Sequence, residues 1–405
     1  MNAGAIFNTE QFIRDAVTGR QESLLAKDLE AWHPDLAKEI EGKSVLVIGG
    51  AGTIGSSFIK ALLRFKPAKL VVADINENGL TELVRDCRSR KDISLPVDFK
   101  SYPVNFGDAV FGKIFRQEAP FDIVANFAAH KHVRSEKDAF SIEAMIENNV
   151  LRAKKLLDML LEQPPKHFFC VSTDKAANPV NIMGASKKLM EEVILAYSKD
   201  LPITTARFAN VAFSNGSLLA GFIERVMKQQ PLSCPSDVKR FFVSPQESGE
   251  ICLLACVLGK SGEIFFPKLD EQRDMINFAD IVAPFLRQMG FEPEICGSEQ
   301  EAREKAAAGI SNKYPVYFFD SNTSGEKLFE EFYTAEEILD LDKFNSLGVI
   351  KNAVGRTRQE LDGIVSELET MFTQGVTKEN IVQILNKLLP NFQHIETGLN
   401  LDQKM

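Results

Sequence analysis

The sequence predicts an α/β protein, a parallel sheet wound on both faces by helices, with a smaller C-terminal lobe and extra helices at each end. Three observations carry this. Short apolar strands alternate with helical stretches, a glycine turn joins the first strand to its helix, and 405 residues suffice for a full core plus a second lobe. In order, residues 1–42 read as amphipathic helices, with Leu24, Leu25, Leu29, Trp32 and Leu36 set among charges. Residues 44–48 form a compact apolar strand, followed by a turn of glycines and a helix over 54–65. Further buried strands are expected at 70–73, 123–127, 167–171 and 203–208. Past Ala206 the pattern becomes irregular, with Pro231, Pro235, Pro245 and Pro267 marking turns. The expected division is a helical extension at 1–42 and a dinucleotide-binding, Rossmann-like domain at 43–208. A lobe at 209–352 interleaves with the last strands, and a helical extension closes the chain at 353–405.

Bulk properties narrow the function classes. The 47 basic residues against 56 acidic ones give a net charge of −9, so no global basic field favours nucleic acid, and an anionic ligand must be held by local groups. Cys87, Cys170, Cys234, Cys252, Cys256 and Cys296 show no CxxC pair, which reads as buried free thiols in a reducing compartment. No signal-peptide run opens the chain and no stretch approaches ~20 apolar residues, so the expectation is a cytoplasmic protein without a membrane span.

Gly49-Gly50-Ala51-Gly52-Thr53-Ile54-Gly55 follows a strand and opens a helix. Glycines there let the backbone approach a pyrophosphate, and the helix presents unpaired N–H groups to it. Gly49, Gly52, Thr53, Ile54 and Gly55 are therefore candidate cofactor residues. Asp74 ends the second strand nineteen residues beyond Gly55, where a carboxylate can accept ribose hydroxyls and repel a 2′-phosphate. No arginine stands in 74–78, which favours NAD over NADP. His130 and His132 form an HxH pair without an evident third ligand, so no metal site is expected.

Residues 172–187 carry the chemistry. Asp174 and Lys175 lie just past the strand at 167–171, and Met183 and Lys187 sit one helical turn apart further on. The second pair occupies the Tyr-x-x-x-Lys positions of short-chain dehydrogenases, with methionine in place of the proton-taking phenol. An Asp-Lys pair added where the phenol is given up suggests chemistry beyond simple hydride transfer. Together with Ala-Ala-His-Lys-His-Val (128–133), Arg-Phe-Ala-Asn-Val (207–211) and Ser-Gly-Glu-Lys (324–327), these motifs resemble the UDP-N-acetylglucosamine 4,6-dehydratase family of extended short-chain dehydrogenases, over about 42–331. Ala209, where glycine is usual, and the run Ala212 to Ser217 depart from that family's pattern.

The resemblance implies NAD as a recycled cofactor and a UDP- or GDP-N-acetylglucosamine substrate. It gives Asp174 the role of acid at the C6 oxygen, Lys175 that of base at C5, and Thr173 a hydrogen bond near C4. Met183 and Lys187 complete the implied catalytic set, Lys187 also holding the nicotinamide ribose. Asn105, at a position where relatives carry aspartate, and Phe106 would meet the adenine, and Ala128 would let the ribose pass. Lys131, Asn149, Asn210, Lys239, Arg240 and Glu330 are the implied substrate-binding residues, Asn149 also as a brace for the active-site backbone. A 4-epimerase of the same superfamily and a non-catalytic NAD-binding scaffold remain the competing readings. The terminal helices suggest a homo-oligomer contact.

Overall fold

The computed structural model describes residues 7–321, 331–351, 353 and 355–395, apart from the Arg134 side chain. Its centre is a nine-stranded sheet built on Ser44–Ile48, whose Ser-Val-Leu-Val-Ile sequence is buried along almost its whole length. A run of branched apolar residues with no polar face suits a strand covered on both sides. It pairs in parallel with Lys69–Asp74 on one side and Ile123–Asn126 on the other, Val45 standing opposite both Leu70 and Ile123. Asp98–Pro103 follows at one edge, while His167–Val171, Ile203–Ala206 and Ile264–Pro267 continue in parallel on the other side. Leu347–Ile350 and Leu339–Asp340 complete that side as antiparallel strands. The chain thus reverses direction of winding at Ser44–Ile48, which opens a crevice at the carboxyl ends of the central strands. Asp98–Pro103 was not foreseen, because its mixed Asp-Phe-Lys-Ser-Tyr-Pro sequence fits a half-covered edge and carries no apolar run.

The lobe holds two small sheets. Asn210–Val211, Lys239–Val243 and Met275–Asn277 form one, and Leu232–Pro235, Glu292–Cys296 and Lys313–Phe319 the other. They share a separate apolar core containing Leu219, Phe222, Phe242, Ile281, Phe285 and Tyr314.

The described parts of both terminal extensions pack into the two cores. Phe12, Ile13 and Val17 enter the lobe core, with the Phe12 ring edge-on to Phe213 and Phe285. Arg20 then grips Glu247 through two bonds of 2.9 Å and donates to the Phe242 carbonyl at 2.8 Å. Asp28 accepts the backbone N–H groups of Asn345 and Ser346, so the arm ties lobe to sheet. At the other end, helices Arg358–Gln374 and Lys378–Leu388 turn Leu361, Leu368, Ile381 and Leu385 into the main core and pack on helix Ile182–Ala196. Ion pairs Lys154–Asp362 at 3.1 Å and Arg356–Glu192 at 2.6 Å hold them there. Among the described residues, their buried apolar side chains pack against the rest of the same chain. Among the described residues, no helix is long and apolar enough to cross a membrane. All six cysteines are buried and unpaired with one another.

Helix Thr53–Leu63, which begins at the glycine turn, is pressed from behind by helix Pro245–Leu258. Gly249 permits the approach: a Cβ there would lie 2.3 Å from the Ser57 carbonyl carbon and oxygen. Backbone cannot yield as a flexible side chain does, so Gly249→Ala is expected to cost about 1–3 kcal/mol of stability through overpacking. A thermal melt of the two proteins, with the variant unfolding at lower temperature, checks this.

Candidate active site

The crevice at the sheet centre is a cleft of about 480 Å³ between the Rossmann strands and the lobe. That size suits a small-molecule or cofactor site. Gly49, Gly52, Thr53, Ile54, Gly55, Asp74, Asn105, Phe106, Ala128, Thr173, Asp174, Lys175, Met183, Lys187, Lys131 and Asn210 all line it.

The glycines differ in what they do. Gly49 has φ +75°, and a Cβ on it would meet the Ala128 nitrogen at 2.5 Å; one on Gly55 would meet the Gly49 oxygen at 2.2 Å. Both are demanded by the fold. Gly52 is not, since a Cβ there would come no nearer than 3.5 Å to the protein. The open space it leaves lies at the start of helix Thr53–Leu63, where no side chain caps the first N–H groups. An anionic pyrophosphate fits this cradle. Asp74 accepts the N–H of Ala51 and of Asn76, each at 2.9 Å, which fixes its carboxylate beside the turn with further lone pairs for hydroxyl donors. The Asn105 side-chain oxygen takes the Gly107 N–H at 2.9 Å, so its local role is to shape the turn.

The wall after the fourth strand is held by Asn149. Its Oδ1 accepts the His130 N–H at 2.9 Å, and its Nδ2 donates to the His130 carbonyl at 2.9 Å and to Ser186 Oγ at 3.0 Å. The side chain is 2% exposed and outside the cleft lining; its neighbour Asn148 lines it instead. The geometry thus gives Asn149 the bracing of the backbone around His130 and Ser186.

Thr173, Asp174 and Lys175 leave the end of His167–Val171 in a short 3-10 turn that begins at Asp174. Asp174 is 5% exposed, and one of its oxygens, Oδ1, accepts from Thr173 Oγ1 and the Lys175 N–H at 2.8 Å each and from Lys175 Nζ at 3.1 Å. The two chemistry-bearing groups thus form an ion pair with each other inside the cleft.

Helix Ile182–Ala196 is capped by Asn181, whose oxygen takes the Gly184 N–H at 2.7 Å. The Met183 N–H is held by Glu136 at 2.8 Å. Lys187 is buried, with Nζ donating to the Val171 carbonyl at 2.6 Å and to Met190 Sδ at 3.4 Å. Burial pulls its pKa below the usual lysine value, against the opposing pull of Cys170 and Glu191.

On the lobe side Asn210 lines the cleft, but Lys239 is exposed and Arg240 donates to the Lys239 carbonyl at 2.8 Å. Neither of these two cations belongs to the lining; Phe242 of the same strand and Phe278 do. Sequence reasoning missed these two aromatic rings, as it missed Asn148, because nothing in a strand or helix pattern says which residue meets a distant loop. Loop 213–217 also reaches across: the Asn215 N–H donates to Thr53 Oγ1 at 3.0 Å, and Gly216, at φ +75°, sits against the His132 ring. Among the described residues no group of histidine, cysteine and carboxylate side chains could hold a metal. Glu330 and the 324–327 motif lie outside the described residues.

Behind the cleft, Arg207 is fully buried and takes Glu191 and Glu337 through two bonds of 2.9 Å each, with the Phe332 carbonyl at 3.0 Å. Glu191 also accepts from Ser172 Oγ at 2.6 Å. Burial alone would raise the Glu191 pKa, but the Arg207 charge and hydrogen bonds outweigh it and hold the carboxyl ionised.

Residues 45–352 match the family described as polysaccharide biosynthesis protein, and the chain belongs to that family. It is 31% identical to a Methanocaldococcus jannaschii protein named as an uncharacterized membrane protein, over 78% of this chain and 88% of that one. The Staphylococcus aureus capsular polysaccharide biosynthesis protein CapD is 26% identical over 90% of this chain, which spans 57% of that protein's length. A Campylobacter jejuni UDP-N-acetylglucosamine 4,6-dehydratase (inverting) is 25% identical over 85% of this chain and 98% of its own. A Rickettsia felis UDP-glucose 4-epimerase is 26% identical over 89% and 94%. The solved structure of Pen from Bacillus thuringiensis shares the fold, with a TM-score of 0.63 at 21% identity, covering 82% of this chain and 98% of that one.

Removing Arg207 would leave the buried Glu191 carboxylate only the Ser172 hydroxyl and the more distant Lys188 ammonium, at 3.8 Å. Arg207→Met is expected to cost about 3–5 kcal/mol, and adding Glu191→Gln to recover part of that loss. Urea unfolding of the single and double variants reads both.

Proposed function

We propose that this member of the polysaccharide biosynthesis family is an NAD-dependent nucleotide-sugar 4,6-dehydratase. The reading gives it UDP-N-acetylglucosamine as substrate and a UDP-4-keto-6-deoxy-N-acetylhexosamine as product, a precursor for surface-glycan amino sugars. The observation that carries it is the Asp174–Lys175 pair, 3.1 Å apart and lining the same cleft as the glycine turn. An acid and a base side by side suit removal of water across C5 and C6, a step that simple oxidation or epimerisation does not need.

A bound nicotinamide dinucleotide supplies the acceptor for hydride from sugar C4 and its later donor to C6. The chain's own residues supply the rest. The open cradle at Gly52 takes the pyrophosphate, and Asp74 the adenosine ribose, favouring NAD over NADP by repulsion of a 2′-phosphate. The Thr173 hydroxyl bonds the sugar near C4. Once C4 is a ketone, the C5 proton is acidic enough for Lys175 to remove, and Asp174 protonates the C6 hydroxyl as it leaves. These roles need a neutral amine and a neutral acid, whereas the free site holds an ion pair. Passage of one proton from Lys175 to Asp174 along their contact converts one state into the other, and a sugar that excludes water favours the uncharged pair. Asn210 and Lys131 are the lining residues best placed to meet the nucleotide sugar.

A second reading, 4-epimerase, is favoured by the Rickettsia relative at 26% identity over 89% of the chain. Mass analysis of the products from UDP-N-acetylglucosamine separates the two. Loss of one water supports the dehydratase, whereas a new isomer of unchanged mass supports the epimerase and removes elimination from the account. Asp174→Asn and Lys175→Met are each expected to lower dehydration by ~10²–10⁴. In deuterated water Lys175→Met should also lose C5 exchange; exchange at the wild-type rate would exclude Lys175 as the base. For the cofactor, Asp74→Ala is expected to weaken NAD binding and narrow its advantage over NADP, read from both affinities by titration.

A further inference from the structure

We infer that Lys187 itself takes the proton of the C4 hydroxyl as that carbon is oxidised, an assignment that rests on the nucleotide-sugar reading above. The usual phenol is replaced by the Met183 thioether, which has no proton to exchange. Lys187 stands one helical turn beyond it and lines the same cleft. A neutral lysine amine has two N–H donors and one lone pair. The bonds to the Val171 carbonyl and to Met190 Sδ use both donors, and the lone pair takes the remaining tetrahedral position.

The surroundings favour that neutral form. Among the described residues, no carboxylate is in ion-pair contact with Lys187 Nζ. On its own helix Glu191 is committed to Arg207, Ser172 and Lys188. From the strand beneath, the Cys170 thiol is pushed up to about 11 by burial and stays uncharged. From the 3-10 turn, Asp174 and Lys175 neutralise each other at 3.1 Å. Burial then lowers the lysine pKa, and the weaker pull of Cys170 and Glu191 does not restore it.

In the step, the O4–H bond breaks and its proton joins the Lys187 nitrogen, giving an ammonium. The C4–H bond breaks with its electron pair, which leaves as hydride to the nicotinamide, and C4–O becomes a carbonyl. Through solvent, that ammonium later returns a proton to Asp174, which has spent its own on the departing C6 hydroxyl. The proton from O4 is thereby accounted for in the released water. Asp174 is already reserved as the acid and Lys175 as the C5 base, so neither is free for this step.

Arginine keeps the positive charge and cannot give up its proton near neutral pH. The test compares wild type and Lys187→Arg in a single turnover with UDP-N-acetylglucosamine, following reduced nicotinamide by near-ultraviolet absorbance. Dinucleotide retained on purification serves as the check that the variant is folded and loaded. The expected result is a ~10²–10⁴-fold slower C4 oxidation in the variant. The wild-type rate should rise with pH to a plateau, and the variant should not recover at high pH. A second measurement needs no turnover: an NMR titration of ¹³Cε-labelled lysines, with the Lys187 signal assigned by its loss in Lys187→Met. Its midpoint should lie below the ordinary lysine value of about 10.4. A Lys187→Arg variant that oxidises C4 at the wild-type rate, or a Lys187 signal titrating at or above that value, overturns the assignment. If wild type retains the dinucleotide but oxidises no UDP-sugar, the functional reading itself fails and the assignment falls with it.

Discussion

Arg207 is the constraint on which the site depends. It follows the strand Ile203–Ala206, yet its guanidinium serves three other parts of the chain: Glu191 on the helix of Met183 and Lys187, Glu337 near the sheet edge, and the Phe332 carbonyl. A fork of fixed geometry holds two carboxylates at once in a way that a flexible ammonium does not. Through Glu191 the network reaches Ser172, the residue before the Thr173-Asp174-Lys175 turn. One buried cation therefore ties the strand end that carries Asp174 and Lys175 to the helix that carries Lys187. Such a network does not owe its value to net stability, since a buried ion pair gains little over good apolar packing. Its value here is a single register between two elements that line one cleft.

The half of the cleft at the glycine turn rests on close backbone approach. Gly49 lets the turn touch Ala128, Gly55 lets the helix start beneath it, and Gly249 lets a second helix press from behind. These contacts leave little freedom for the turn to move. Asp74 adds two backbone N–H bonds to the same rigid unit. The lobe then meets that unit through Asn215 and Thr53, while the N-terminal arm, by way of Arg20 and Asp28, keeps lobe and sheet in register. The cleft is thus shaped by segments from almost the whole described chain, and the arm that precedes the first strand belongs to its support.

The charge arrangement makes chemical sense in the same terms. Within the cleft the free site pairs Asp174 with Lys175, which spares either group from standing alone in a poorly hydrated space. Among the described residues Lys187 has no such carboxylate partner and meets a carbonyl and a sulfur instead. Two lysines twelve residues apart thereby meet different surroundings, one paired with a carboxylate and one whose pKa burial lowers.

The features legible in the sequence were those with a local cause. The glycine turn could be read because only glycine tolerates such approach and a positive φ at Gly49. The buried parallel strands could be read because Ser-Val-Leu-Val-Ile and its counterparts have no polar face. The order of Asp174, Lys175, Met183 and Lys187 along one strand-turn-helix stretch was visible for the same reason. The edge strand Asp98–Pro103 was not, since half-covered positions accept mixed residues. Only the tertiary structure decided that Asn149 braces a loop, that Lys239 and Arg240 stand outside the cleft lining while Phe242 and Phe278 belong to it, and that the terminal helices close on their own chain. It alone joined Arg207 to Glu337, 130 residues away. Contacts of that span depend on how separate elements pack, and a helical or strand period carries no record of which distant residue will meet a given side chain.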